Sequence, residues 1–253
     1  PVDFAGLPVD LEVFRDLANE HDLWIIEDAC HAPGGYFIDS KKDQNFCGNG
    51  RYADIGVFSF HPVKHIACGE GGMLTTNSKE LHEKMMLLRT HGITKENMLE
   101  NHGNWYYEMQ ELGFNYRLTD IQSALGITQL LKNDKGVERR NQISLVYKKA
   151  FEGKIKFQDL PLGTYNAHHL FIIEVENRKE LYDFLHSKGI LAQIHYLPIH
   201  TMPYYKKIGY EGSNLINAEN YYANCISLPM YPTLLNEQQS YVIKNVLEFT
   251  SNE

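Results

Sequence analysis

Three short apolar runs restrict the folds open to this chain more than any other feature. They are Leu23-Trp24-Ile25-Ile26, Ala53-Asp54-Ile55-Gly56-Val57-Phe58-Ser59-Phe60 and Gly72-Met73-Leu74-Thr75-Thr76. A strand with one wet face alternates apolar and polar residues; a strand covered on both faces does not. Each run therefore reads as a strand buried on both sides, as in a parallel sheet. Helical periodicity flanks them. Residues 9–21 place Leu11, Phe14, Leu17 and Ala18 on one helical face. Asn77-Ser78-Lys79-Glu80 fits a capping box that opens a helix through Leu88. Alternating strands and helices imply a layered α/β fold. The 253 residues suffice for one large domain or two ordinary ones, each with its own core.

Further along, residues 101–117 are rich in Asn, Gly and aromatic side chains and read as a long loop. Thr119-Asp120-Ile121-Gln122 is a second capping-box pattern, and its helix directs Ile121, Ala124, Leu125 and Leu131 toward a core. A charged helix over 134–153 follows. The domain boundary is placed inside it, giving domains 1–140 and 141–253. The second domain reads as a small α+β unit. It has strands at 169–175 and 190–196, and a helix from Asn177 to about 188. A loop rich in Pro, His and Tyr then leads to helices near 217–226 and 236–249.

Composition removes several functions. Lys plus Arg is 24 and Asp plus Glu is 32, a net charge of −8, which disfavours binding to nucleic-acid phosphates. No apolar run has the length of a membrane span. The four cysteines, Cys30, Cys47, Cys68 and Cys225, show no CxxC spacing and suggest a reduced, cytoplasmic protein. The 12 histidines form no HExxH, so the expected metal ligands are none.

Four features between Asp28 and Arg117 carry chemistry. Asp28 ends an apolar run, and ligands of open α/β sheets sit beyond the carboxyl ends of strands. A carboxylate there needs a cation or donors, and a protonated heterocyclic nitrogen would serve. Lys64, in Ser59-Phe60-His61-Pro62-Val63-Lys64, follows the next strand, where partial desolvation favours a neutral amine and Schiff-base chemistry. Gly69-Glu70-Gly71-Gly72 permits close backbone approach, and Gly113-Phe114-Asn115-Tyr116-Arg117 offers amide and guanidinium donors beside a helix start. Taken singly, each feature reads as easily as a turn, a cap or a solvated side chain.

Their order is distinctive. EDACHAPGG, ADIGVFSFHPVKHIACGEGGMLTTN and GFNYRLTDIQSALG, continued by GILAQIHYLPIH and ISLPMYP, closely resemble the DegT/DnrJ/EryC1/StrS sugar aminotransferases. The resemblance covers essentially the whole chain. It implies the aspartate-aminotransferase fold (fold type I), here part of the large α/β domain plus a small α+β domain, and pyridoxal 5′-phosphate as cofactor. By position, Lys64 matches the lysine bonded to the cofactor and Asp28 the carboxylate on its ring nitrogen. His31 stands where the family has a Gln or His stacked on the ring, and Ser59 matches a hydroxyl on the phosphate. Asn115 matches an asparagine reaching the phosphate from the partner subunit, which implies a homodimer. Tyr116, Arg117, His195 and Tyr196 match regions near the nucleotide-sugar substrate. The amino donor implied is L-glutamate. The FSFHPVK, SFH, CHA and GEGG contexts look most like the pseudaminic-acid branch, which aminates a UDP-linked 4-keto-6-deoxy-N-acetylhexosamine. His65-Ile66-Ala67-Cys68 departs from the Thr-containing turn of that branch. The alternatives are a different nucleotide ketosugar (dTDP or GDP) or a non-catalytic binding protein on the same fold.

In that family the lysine follows an N-terminal segment that carries a Gly-Thr phosphate loop. No such loop precedes Asp28 here. The resemblance therefore implies a C-terminal portion that binds the cofactor weakly or not at all and is inactive alone.

Overall fold

The structure is a computed structural model, and it describes residues 1–96, 98–100, 102–210 and 214–251. Its elements run α1 (Leu11–His21), β1 (Ile26–Asp28), β2 (Tyr36–Ile38), β3 (Gln44–Phe46), β4 (Ile55–Ser59), β5 (Gly72–Thr75) and α2 (Lys79–Arg89). Then come β6 (Ile93–Thr94), β7 (Glu108–Met109), α3 (Asp120–Leu130), α4 (Asn133–Phe151), β8 (Lys156–Phe157), β9 (Thr164–Tyr165), β10 (Phe171–Glu174) and α5 (Arg178–Ser187). A helical turn α6 (Pro203–Tyr205), α7 (Ile216–Asn224), β11 (Cys225–Leu228) and α8 (Asn236–Thr250) complete the chain. Two compact units result. The first comprises Pro1–Phe4, Pro8–Asn133 and Gly163–Tyr165; the second comprises Ala5–Leu7, Asp134–Leu162 and Asn166–Glu253. The division at Asn133 falls in the same helix as the boundary expected at 140/141.

In the first unit, a three-stranded sheet has the order β1-β4-β5. β1 runs parallel to β4, with Asp28 opposite Val57, and β5 returns antiparallel, with Gly72 opposite Ser59. The sheet is thus mixed, not wholly parallel. Two polar contacts hold its register. Asp54 Oδ2 accepts the Ile25 N–H at 2.7 Å and Arg15 Nη2 at 2.9 Å, tying β4 to α1 and to the approach of β1. Asp10 caps α1 through the Glu12 N–H, and Leu11 and Ala18 pack with Ile25, Phe37 and Ala53.

Several expectations change here. The run at 23–26 is not a doubly buried strand. Trp24 is 70% exposed and Ile26 56%, whereas Ile25 and Glu27 are buried. Burial alternates along the strand, so one face of β1 is covered and the other is open. Phe14 and Leu17 flank the buried stripe of α1 and stay exposed. Ser78 caps α2 through the Leu81 N–H at 3.3 Å, but an apolar Leu81 at the third helical position cannot return the bond. The Thr119–Gln122 box forms in both directions. The helix it opens has no buried residue, and Ile121 and Leu131 are 85% and 80% exposed. That corrects the inward face expected for Ile121, Ala124, Leu125 and Leu131: helical periodicity finds an apolar stripe but not what covers it.

The second unit builds its core on an antiparallel sheet of order β11-β10-β8. Ile143, Tyr147 and Phe151 recur every fourth residue on α4 and are fully buried against it. Phe171 and Ile173 of β10, Leu181 and Leu185 of α5, Ile226 of β11 and Val246 of α8 complete that core. Arg140 is buried in the same unit, and its Nη1 donates to the carbonyls of His168, His169 and Met230. The strand expected at 190–196 reduces to one bridge, in which Gln193 exchanges bonds of 3.1 and 2.7 Å with Ser227. α7 ends at Asn224, and the residues expected to continue it form β11 instead.

Candidate active site

Two strand ends and one hairpin loop make the site. Asp28 is the last residue of β1 and Ser59 the last of β4. The parallel pairing of these strands brings both ends to the same edge of the sheet. Between β4 and β5 the chain forms a loop that carries Lys64. Phe60 closes it by donating to Gly71 O (2.9 Å) and accepting from the Cys68 N–H (3.0 Å). Gly71 is required there: its φ is +138°, and a Cβ would stand 2.7 Å from the Leu118 side chain. Gln122 Nε2 at the start of α3 braces the loop through Glu70 O at 3.0 Å.

Asp28 is half-buried, and its Oδ1 accepts the Cys30 N–H at 3.1 Å. His31 follows, buried, with its ring 6.1 Å from that of Phe4. Lys64 is half-buried, and burial lowers its amine below the ordinary lysine value. The neighbouring Cys30 and Asp28 act in the opposite direction. A partly desolvated amine has a larger neutral, nucleophilic fraction. Ser59 Oγ lies 3.4 Å from the His61 N–H. The structure thus brings Asp28, His31, Ser59 and Lys64 to one side of the first unit. Cys30 joins them, which the cysteine count did not reveal. Its position two residues after a strand-end aspartate was the available signal.

Asn115, Tyr116 and Arg117 sit on a segment stapled to the C-terminal end of α2. Phe114 N–H donates to Leu88 O at 2.7 Å and Tyr116 N–H to Arg89 O at 2.9 Å. Asn115 Oδ1 accepts Arg117 Nε at 2.9 Å, and all three side chains are exposed. His195 and Tyr196 belong to the second unit. There His195 Nδ1 lies 2.8 Å from Ser227 Oγ, and its carbonyl accepts Tyr221 OH at 3.1 Å. A cavity of about 590 Å³ in the second unit, lined by Leu191, Tyr231, Leu234, Glu237 and Tyr241 among others, includes none of these candidates.

An amine, a carboxylate and a buried aromatic ring at one strand edge are the donor set that a phosphorylated pyridine aldehyde requires. Comparison with known proteins decides the family. Residues 1–247 match the DegT/DnrJ/EryC1/StrS aminotransferase family. The chain belongs to this family. Its fold is that of the PLP-dependent aminotransferases, and pyridoxal 5′-phosphate is the family's cofactor. A UDP-4-amino-4,6-dideoxy-N-acetyl-beta-L-altrosamine transaminase of Campylobacter jejuni is 37% identical over 97% of this chain and 63% of its own length. Helicobacter pylori PseC, an aminotransferase of pseudaminic acid biosynthesis, superposes with a TM-score of 0.86 and 34% identity, over 100% of this chain and 66% of that one. The PLP form of a sugar aminotransferase from Streptococcus pneumoniae gives a TM-score of 0.85 and 26% identity, over 100% and 68%. The chain therefore spans less than two thirds of the length of the first two of these relatives.

Proposed function

We propose that the protein to which this chain belongs transfers an amino group from L-glutamate to the 4-keto carbon of a nucleotide-linked 4-keto-6-deoxy sugar, derived from UDP-N-acetylhexosamine. The observation that carries the reading is the partly desolvated Lys64 amine beside the Asp28 carboxylate at the strand edge. Pyridoxal 5′-phosphate, when bound, supplies an electron sink for negative charge developing at the donor's α-carbon. Asp28 would face the ring nitrogen, its carboxylate steadied by the Cys30 N–H at 3.1 Å. His31 would lie against the ring, and Ser59 would donate its hydroxyl to the phosphate. With the cofactor bound, Lys64 Nζ would hold it and would be placed to take a proton from the donor's α-carbon.

Asn115 reaches the phosphate of the neighbouring subunit, so the active site is shared within a homodimer. Tyr116, Arg117, His195 and Tyr196 hold the nucleotide sugar. The protein works in the cytoplasm, in surface-polysaccharide biosynthesis of the pseudaminic-acid type. No described helix is long and apolar enough to cross a membrane. Adding the cofactor to the full-length protein is expected to produce the absorbance of the covalently held form, abolished in Lys64→Ala. Glutamate and a panel of UDP-, dTDP- and GDP-linked ketosugars should then give an amino sugar with the UDP substrate. Absence of the Lys64-dependent absorbance would overturn the proposal.

A further inference from the structure

Ser227 is a buried polar residue in the core sheet of the second unit. It is 4% exposed, lies on β11 and pairs with Ile172 of β10 on one side. On the other side its backbone exchanges hydrogen bonds of 2.7 and 3.1 Å with Gln193. Held along both edges, that backbone leaves the Ser227 hydroxyl little room to move. Its Oγ lies 2.8 Å from His195 Nδ1. His195 is half-buried and is held at two further points. Its carbonyl accepts from Tyr221 OH at 3.1 Å, and its ring meets that of Tyr196 edge-on, with 4.7 Å between centroids.

A neutral imidazole carries one ring proton, so one nitrogen donates and the other accepts. Which does which is set by the bond the other nitrogen makes. A serine hydroxyl also has one proton to place, and burying it without an acceptor is costly. Among the described residues, His195 Nδ1 is the only hydrogen-bond partner of Ser227 Oγ. If Nδ1 carried the ring proton and donated it to Oγ, the serine proton would be buried with nothing to accept it. The bond therefore runs from Oγ–H to Nδ1, and the ring proton is left on Nε2.

We propose that Ser227 is a positioning residue for His195, its hydroxyl holding the neutral ring as the Nε2–H form so that His195 offers a donor to an acceptor oxygen of the nucleotide sugar. The inference rests on the sugar-binding role proposed above for His195. Without the hydroxyl, the ring turns more freely and exchanges its proton between the two nitrogens. In part of the population a lone pair then meets the substrate oxygen where a donor is needed.

Two measurements test this, and the first needs neither cofactor nor substrate. Nitrogen NMR of the full-length protein, with isotope-labelled histidine and at a pH where the ring is neutral, reads which His195 nitrogen is protonated. The His195 signals are those missing from His195→Gln. The proton is expected on Nε2, and the Nδ1 signal is expected to move in Ser227→Ala and to return in Ser227→Thr, which keeps the hydroxyl. A proton found on Nδ1, or an Nδ1 signal unmoved in Ser227→Ala, would overturn the proposal. The second measurement separates the two half-reactions. In Ser227→Ala, kcat/KM for the UDP-linked 4-keto-6-deoxy-N-acetylhexosamine is expected to fall about fivefold, the worth of one hydrogen bond, while kcat/KM for glutamate stays unchanged. Equal losses for both substrates, or no loss for the sugar, would reduce Ser227 to a structural residue and overturn the role. If the unsubstituted protein aminates no ketosugar, the functional reading falls with the sugar contact, and the NMR comparison still decides the Ser227–His195 bond.

Discussion

Glu27 and Asp28 are neighbours on β1, and they meet opposite environments because successive strand residues point to opposite faces. Asp28 reaches the open edge of the sheet. Glu27 is 1% exposed, its Oε1 accepting the Gly48 N–H at 2.8 Å. Its carboxyl gathers with Asp3 and Cys47, ligand atoms within 4.8 Å of one another. Burial, then the charge of Asp3, pushes Glu27 up to about 8. The folded state thus holds a proton that the unfolded chain releases near the ordinary value of 4.5. Stability from this group is full below about pH 4.5 and falls as pH rises toward 8. Urea midpoints measured across that window are expected to decline with pH, and Glu27→Gln should flatten the slope. A slope unchanged by the substitution would contradict the assignment. None of this was visible in the sequence, where Glu27 read only as the residue before Asp28. Burial of a side chain depends on which face the rest of the unit covers.

Local chemistry fixed most helix starts and few strand environments. Thr119 and Gln122 satisfy two otherwise orphaned backbone donors of α3, so that start was readable from four residues. Thr119→Ala is expected to cost about 1 kcal/mol in a thermal or urea melt. Helix α4 was legible as a charged helix, but its role as the spine of the second core was not. Its buried face is carried by Ile143, Tyr147 and Phe151, dispersed among Lys, Arg and Asn. Phe151 is fully buried, and its ring lies 5.9 Å from that of Tyr147. Phe151→Ala is expected to destabilise the protein by about 3–5 kcal/mol, through lost burial and a cavity. A loss below about 1 kcal/mol would mean that the site collapses to fill the space. The segment 190–196 shows the reverse case. It has strand composition, yet makes a single bridge with Ser227.

Across the whole molecule, the proposed division of labour between subunits has a direct test. If Asn115 serves the partner's active site, Lys64→Ala and Asn115→Ala damage different halves of each shared site. Mixing the two inactive full-length variants and allowing subunits to exchange should then restore activity, because one site of the hybrid carries both native residues. No recovery after exchange would place Asn115 in its own subunit's site. What the sequence alone determined was the chemistry and its order along the chain. An aspartate and a lysine at the ends of apolar runs, a glycine loop and an Asn-Tyr-Arg segment were legible because strand ends and turns are specified by neighbouring residues, and the resemblance of their motifs, in that order, pointed to the family. Tertiary structure alone decided the rest. It covered only one face of β1, left α3 uncovered, buried Glu27 beside Asp3 and set Ser227 against His195. Those outcomes depend on which faces distant segments cover, and a short window of residues holds no record of its distant neighbours.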